Sequence, residues 1–176
     1  VVGDGPTIGA AVVEQADYVS FTGSTATGRI LARRLGERLV GASLELGGKN
    51  ALLVLDDADL DRAAEGAVRA CFSCAGQLCV STERVYVAAP VRGEFQQRFV
   101  DRVRDIRLGA AYDYSCDVGS LVSQEQLDKV IRHVGDAVTN GANVVTGGSR
   151  RPDLGPWFFE PTVLTDLNPE SRILVD

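Results

Sequence analysis

The sequence predicts an α/β fold with a largely parallel sheet. Short β-rich runs alternate with helical periodicity almost throughout its 176 residues. A strand near the start feeds a glycine-bearing turn and then a helix, the usual unit of such folds. Apolar content of 45% with mean hydropathy +0.03 is that of an ordinary globular chain, which excludes disordered and collagen-like classes.

The elements follow in order. Residues 18–22 read as a strand that runs into Gly23-Ser24-Thr25-Ala26-Thr27-Gly28. The next helix, of about three turns, turns Ile30, Leu31, Leu35 and Leu39 inward and Arg33, Arg34, Glu37 and Arg38 outward. A second strand at 43–46 breaks at Gly47-Gly48, and the apolar run 51–55 follows. Asp57 and Asp59 are both candidate N-caps for a helix that carries Leu60, Ala63, Ala64, Ala67, Val68 and Cys71 on one face and stops near Gly76. Then come a strand at 84–88 and a helix at 91–107 with Phe95, Phe99, Val103 and Ile106 on its core side. Residues 109–119 read as a loop. A helix at 124–139, capped by Ser123, carries the stripe Leu127, Val130, Ile131, Val134 and Val138 and leaves His133 on a solvated flank. A short strand at 143–146, a Gly147-Gly148 turn and an alternating strand at 158–164 complete the order.

The formal charge of -6 is spread without long blocks of either sign, so a nucleic-acid partner is not expected. The apolar run 51–55 is five residues long, far below the roughly 20 that a membrane-spanning helix needs, so no membrane partner is expected either. Three of the four cysteines, Cys71, Cys74 and Cys79, fall within nine residues, too crowded for a secreted disulfide framework, and a reducing cytoplasm fits them better. Cys71-x-x-Cys74 has zinc-knuckle spacing, but His133 is the single histidine and no second ligand pair is evident, so no metal is expected. The absence of methionine and the opening Val1 suggest a segment of a longer protein.

Three short patterns could carry chemistry, and each has a plain structural alternative. The Gly23 to Gly28 turn can accept a phosphate, because glycine admits the anion and the helix start offers N–H donors, with Ser24 as a further donor; it can equally be a simple helix start. Glu45, in Leu44-Glu45-Leu46, is either a solvated residue of an edge strand or a general base. Cys79, in Ala75-Gly76-Gln77-Leu78-Cys79-Val80-Ser81, is either a buried inert thiol or a nucleophile. Cys71 and Cys74 read as packing residues.

Taken together, Phe21-Thr22-Gly23-Ser24-Thr25-x-x-Gly28, Glu45-Leu46-Gly47-Gly48-Lys49 and Gly76-Gln77-x-Cys79 resemble the aldehyde dehydrogenase superfamily in order and spacing. Gly3-Asp4-Gly5 with Gly9, and Phe159-Glu160-Pro161-Thr162-Val163-Leu164, extend the resemblance over essentially the whole chain. It implies parts of two three-layer α/β domains: the end of a Rossmann-like dinucleotide-binding domain at 1–47 and the start of a catalytic domain at 48–176. It implies Cys79 as nucleophile and Glu45 as general base, with Gly23, Ser24, Thr25, Gly28, Leu46 and Gly47 on the cofactor side. The implied reaction is oxidation of a small-molecule aldehyde to an acid with NADP or NAD, through a cysteine thiohemiacetal and thioester.

The wording of the motifs is most similar to bacterial succinate-semialdehyde dehydrogenases, although Ser73 stands where members that grip a carboxylated aldehyde often have Arg. A generic aldehyde dehydrogenase is the near alternative. A non-catalytic half-fold that binds or oligomerises is a rival from another class, opposed by the joint presence of Glu45, Cys79 and the turn. Glu45 also argues against a CoA-dependent acyl-transferring member. The family's oxyanion Asn, its ribose-binding Lys and its Glu-x-Phe-Gly-Pro motif have no match in this sequence. The 176 residues alone are therefore expected to be inactive, and the whole enzyme to be a cytoplasmic homo-oligomer.

Overall fold

Two parallel strands, β1 (Tyr18–Gly23) and β2 (Gly41–Leu46), are joined by the helix α2 (Thr25–Arg38) in the computed structural model, which describes residues 2–174. A π-helical turn, Gly5–Gly9, held by Thr7 N donating to the Asp4 carboxylate at 2.7 Å, leads into α1 (Ala10–Gln15). These elements form one unit, and the chain divides between Gly48 and Lys49. The core of the first unit is Val13, Val19 and Leu35, with Ala16, Phe21, Leu31 and Val40 packed against it.

Three residues in or just after α2 depart from the helical wheel. Leu39, expected inward, is 94% exposed, because it ends the helix in the left-handed conformation at φ 56°. The reversal brings Val40 into the core in its place, with Val40 N donating to Leu35 O. Ile30 is 52% exposed, since Leu31 and Leu35 define the buried face and Ile30 lies about 100° around from Leu31. Arg38, expected outward, donates to the Val13 carbonyl at 2.6 Å and ties α2 to α1.

The second unit is built on β3 (Asn50–Val54) and β4 (Thr82–Val87), also parallel, linked by α3 (Leu60–Phe72). Asp59 is the N-cap of α3 and accepts from the N–H groups of Asp61 and Arg62, which decides between the two candidate caps. Ala64 and Ala67 are fully buried, and their small side chains let α4 (Arg92–Arg104) lie close against α3. Phe95 and Phe99 of α4 stack at 5.7 Å, and Phe72 continues the stack at 6.2 Å from Phe99. Val54 and Val103 complete this core, and Ile106 packs on it from beyond the helix end.

The helix α5 (Gln124–Thr139) starts at Ser123, whose hydroxyl accepts from Gln126 N. Its buried stripe is Leu127 and Ala137, while Val138 is exposed and His133 half-buried. The loop before it is closed by Asp117, which accepts from the Arg107 backbone N at 2.9 Å and from its Nε and Nη2 at 3.0 and 2.8 Å.

Strands β5 (Asn143–Thr146) and β6 (Val163–Thr165) pair antiparallel. The continuous strand expected at 158–164 is therefore shortened to its end. Phe159 makes only an isolated bridge to Arg150, and Pro161 has no N–H to extend the ladder. Gly148 N donates instead to the Thr162 hydroxyl at 2.9 Å. Gly147, at φ 74°, sits so close to Pro161 that a Cβ would collide with the Pro161 carbonyl oxygen. No helix among the described residues is long and apolar enough to cross a membrane.

Two outcomes follow for stability. Gly147→Ala should destabilise the second unit by about 2–4 kcal/mol, from left-handed strain and overpacking combined. Gly135→Ala, on α5 with open space around its Cα, should stabilise it by about 0.5–1 kcal/mol. Urea unfolding of both variants reads the difference, and equal midpoints would remove the Gly147 argument.

The Arg107 side-chain and backbone hydrogen bonds lower the Asp117 pKa from 3.8 to about 2. Because the folded value is depressed, the loop closure is fully present above the ordinary carboxylate range and is lost as pH falls from about 4 through about 2. An NMR titration of the Asp117 carboxyl with a midpoint near 3.8 would contradict this.

Candidate active site

In the first unit every cofactor-side residue read from the sequence gathers at the C-terminal end of the β1–β2 pair. Gly23 is the last residue of β1 and pairs with Leu46, and Thr22 pairs with Glu45. Such strand ends are where open α/β sheets take their ligands. Ser24 follows with extended backbone as the N-cap of α2; its Oγ accepts from Thr27 N at 3.1 Å and lies 2.9 Å from Thr27 Oγ1. The N–H groups of Thr25 and Ala26, in the first turn, have no carbonyl to bond within the helix and are available to an anion. Gly28 is buried, and a Cβ there would lie 2.6 Å from Leu46 Cδ2, so its lack of a side chain lets α2 rest on β2. Glu45 and Gly47 are exposed at the same end. Free helix-start donors beside a close strand–helix approach are the donor set a pyrophosphate requires.

In the second unit α3 gives way to a short turn, Ser73–Gly76, in which three consecutive residues are left-handed: Cys74 (φ 52°), Ala75 (φ 57°) and Gly76 (φ 73°). The two non-glycine positions carry strain on the order of 1–2 kcal/mol each, which surrounding contacts must offset. Gln77 supplies some of them. Its amide donates to Cys74 O at 3.1 Å and Ser120 O at 3.4 Å, and its oxygen accepts from Val122 N at 2.8 Å. Cys79 lies next, exposed, inside a tight turn closed by Ser81 N donating to Leu78 O at 3.0 Å. The reading of Cys79 as a buried thiol is thereby corrected: the chain reverses there and turns it outward.

Cys71, on α3, is half-buried, and burial pushes its thiol up to about 11, which keeps it protonated and inert. It lines a cavity of about 160 Å³ with Phe72, Ala75, Leu121, Phe159 and Pro161. Cys74, expected to be a packing residue, is exposed, because the left-handed turn carries it off the helix face. Ser73 donates its hydroxyl to Arg69 O at 2.7 Å, back onto its own helix. No group of three or more His, Cys, Asp or Glu side chains among the described residues is arranged to hold a metal ion.

The left-handed run and the bonding of Gln77 and Asn50 had no explicit reading in the sequence. Asn50 donates through Nδ2 to Cys79 O at 2.7 Å and to Ser81 O at 2.9 Å. Its one sequence signal is its place directly after Gly47-Gly48-Lys49, and Gln77's is its fixed spacing from Cys79.

The family model described as the aldehyde dehydrogenase family matches residues 1–176. The chain belongs to this family. A Mycobacterium ulcerans (strain Agy99) relative, provisionally named NADP(+) succinate-semialdehyde dehydrogenase 2, is 54% identical over 172 residues, which cover 98% of this chain and 33% of the relative. A crystal structure of succinate-semialdehyde dehydrogenase from Burkholderia pseudomallei superposes with a TM-score of 0.93 at 38% identity, covering 98% of this chain and 36% of that one. Betaine aldehyde dehydrogenase from Staphylococcus aureus in complex with NAD+ gives a TM-score of 0.94 at 34% identity, covering 100% of this chain and 36% of that one. The chain thus spans about a third of the length of the curated relatives it matches.

The thiols of this aldehyde dehydrogenase chain should separate in reactivity. With a pKa of about 11, Cys71 is thiolate to on the order of one part in 10³ at pH 8. Iodoacetamide followed by peptide mass spectrometry should label Cys74 and Cys79 at least roughly tenfold faster than Cys71. Labelling of Cys71 at the rate of the exposed pair would contradict its burial.

Proposed function

We propose that this chain is the nucleophile-bearing part of an NADP- or NAD-dependent aldehyde dehydrogenase that oxidises succinate semialdehyde to succinate. The observation that carries the reading is the presentation of Cys79: an exposed thiol at a turn fastened on both flanks by side-chain amides. Residues 1–47 belong to the dinucleotide-binding domain and 48–176 to the catalytic domain. The NADP(+) in the names of the mycobacterial relatives and the NAD+ of the Staphylococcus aureus complex support the cofactor class. The whole enzyme acts as a homo-oligomer in the cytoplasm.

In this reading the Cys79 thiolate adds to the aldehyde carbon and forms a thiohemiacetal, and the Cys79 backbone N–H donates to the developing oxyanion. A bound nicotinamide cofactor would supply the hydride acceptor through which the thiohemiacetal becomes a thioester on Cys79. Glu45 takes a proton from the water that attacks this thioester, and its place on an exposed strand end leaves it open to that water. Carboxylic acid and free thiol result. Gly23, Ser24, Thr25 and Gly28, with Leu46 and Gly47 beside them, receive the cofactor pyrophosphate on the free donors of the α2 start.

A second reading, an aldehyde dehydrogenase of other substrate range, is favoured by Ser73, whose hydroxyl is engaged with Arg69 O and which offers no positive charge to a substrate carboxylate. Comparing kcat/KM for succinate semialdehyde with that for an uncharged alkyl aldehyde decides between them.

In the full-length enzyme Cys79→Ala should abolish aldehyde oxidation and spare cofactor binding, while Cys74→Ala keeps turnover. The reverse pattern would move the nucleophile to Cys74. Glu45→Gln should slow turnover on the order of 10² to 10⁴ fold, and unchanged rates across pH 6 to 9 would remove Glu45 from the reaction.

A further inference from the structure

The strand pairing that leads away from Cys79 contains an irregularity. Asn50 pairs with Thr82 and Ala51 with Arg84, so Glu83 is an extra residue in β4 and forms a β-bulge at the start of the β3–β4 pair. The bulge is fastened from both sides: Lys49 Nζ forms an ion pair with Glu83, and Arg84 Nη2 donates to Lys49 O at 2.7 Å. Asn50 directly follows Lys49, which makes both ties. Its amide nitrogen has two hydrogens, and the two acceptors it meets are Cys79 O and Ser81 O, the carbonyls on either side of Val80.

We infer that Asn50 is a positioning residue for the Cys79 thiol, acting by holding these two carbonyls and so fixing the backbone of the turn that presents it. This rests on the reading of Cys79 as nucleophile and adds the group that orients it. The Cys79 carbonyl defines the peptide plane on the C-terminal side of the thiol, and the Ser81 carbonyl anchors the turn to the rigid strand. With both held, the backbone on the C-terminal side of the thiol is restrained, and rotation about the Cys79 side-chain bond chooses where the sulfur points. Ser81 is itself buried and its hydroxyl has no partner among the described residues, so among them the Ser81 end of the turn has no side-chain bond of its own to replace Asn50. Gln77 restrains the chain ahead of the thiol through Cys74 and the 120–122 segment, and Asn50 is the side chain that restrains the side behind it, beside the Ser81 N to Leu78 O bond that closes the turn.

Attack on an aldehyde carbon demands a near-attack geometry, and a misplacement of about 1 Å costs on the order of 10²-fold in rate. In the full-length enzyme Asn50→Ala should therefore lower kcat about 10- to 100-fold, with KM for the aldehyde and the thermal midpoint close to wild type. Asn50→Asp, of the same size but with an acceptor where the donors stood, should lower kcat at least as far. A kcat within twofold of wild type in either variant overturns the inference, and so does a loss that only tracks the folded fraction by circular dichroism in both. Cys79→Ala, measured alongside, separates the two levels. Turnover retained there overturns the nucleophile reading itself, whereas an inactive Cys79→Ala beside a normal Asn50→Ala overturns only the role of Asn50.

Discussion

The parallel pairing of β3 with β4 is the constraint on which the surroundings of Cys79 depend. A parallel neighbour requires the chain to leave β3, cross over through α3 and return to the same end of the sheet from which it started. The return must be made between Phe72 and Thr82, with an α-helix on one side and a strand on the other. Nine residues suffice because Cys74, Ala75 and Gly76 reverse the helix in the left-handed region and the 78–81 turn feeds the strand. The nucleophile candidate is thus carried by the tightest stretch of the crossover. The energy that holds it there comes from burial elsewhere, in the alanine-lined contact of α3 with the phenylalanines of α4.

The first unit repeats the arrangement at smaller scale, with a different balance between architecture and chemistry. Gly28 serves packing, since any side chain there would meet Leu46. Ser24 serves as a helix cap. Neither function competes with anion binding, because the donors left over at the helix start belong to Thr25 and Ala26. The helix cap uses Ser24 Oγ and Thr27 N, so it leaves the Thr25 and Ala26 donors to the proposed phosphate turn.

Much of this was legible in the sequence for identifiable reasons. Caps at Asp59 and Ser123 and the stripe of Phe95, Phe99 and Val103 are local and periodic, and they appear where pattern puts them. Ile30, Arg38 and Val138 differ through how their helices pack, and the remaining differences lie where backbone departs from its period. The helical wheel places Leu39 inward only when the helix runs one residue past its left-handed stop. The strand at 158–164 overlooked what Pro161 removes from a ladder. Cys74 reads as a packing residue because cysteine usually is one, and no periodic signal announces the three left-handed residues in a row that carry it outward. Asn50 and Gln77 act through backbone groups 29 to 45 residues distant, which only the folded chain brings within reach.

The left-handed run also bears on how this segment can change over evolutionary time. At Cys74 and Ala75 the backbone discriminates among side chains before any chemistry does: glycine or asparagine relieves strain, whereas a β-branched residue adds to it. Drift at these two positions is thereby channelled toward small side chains, even though Cys74 faces solvent and surface positions ordinarily vary freely. The stretch ahead of Cys79 is held narrow in composition by its dihedral angles, and variety in this neighbourhood has to accumulate elsewhere.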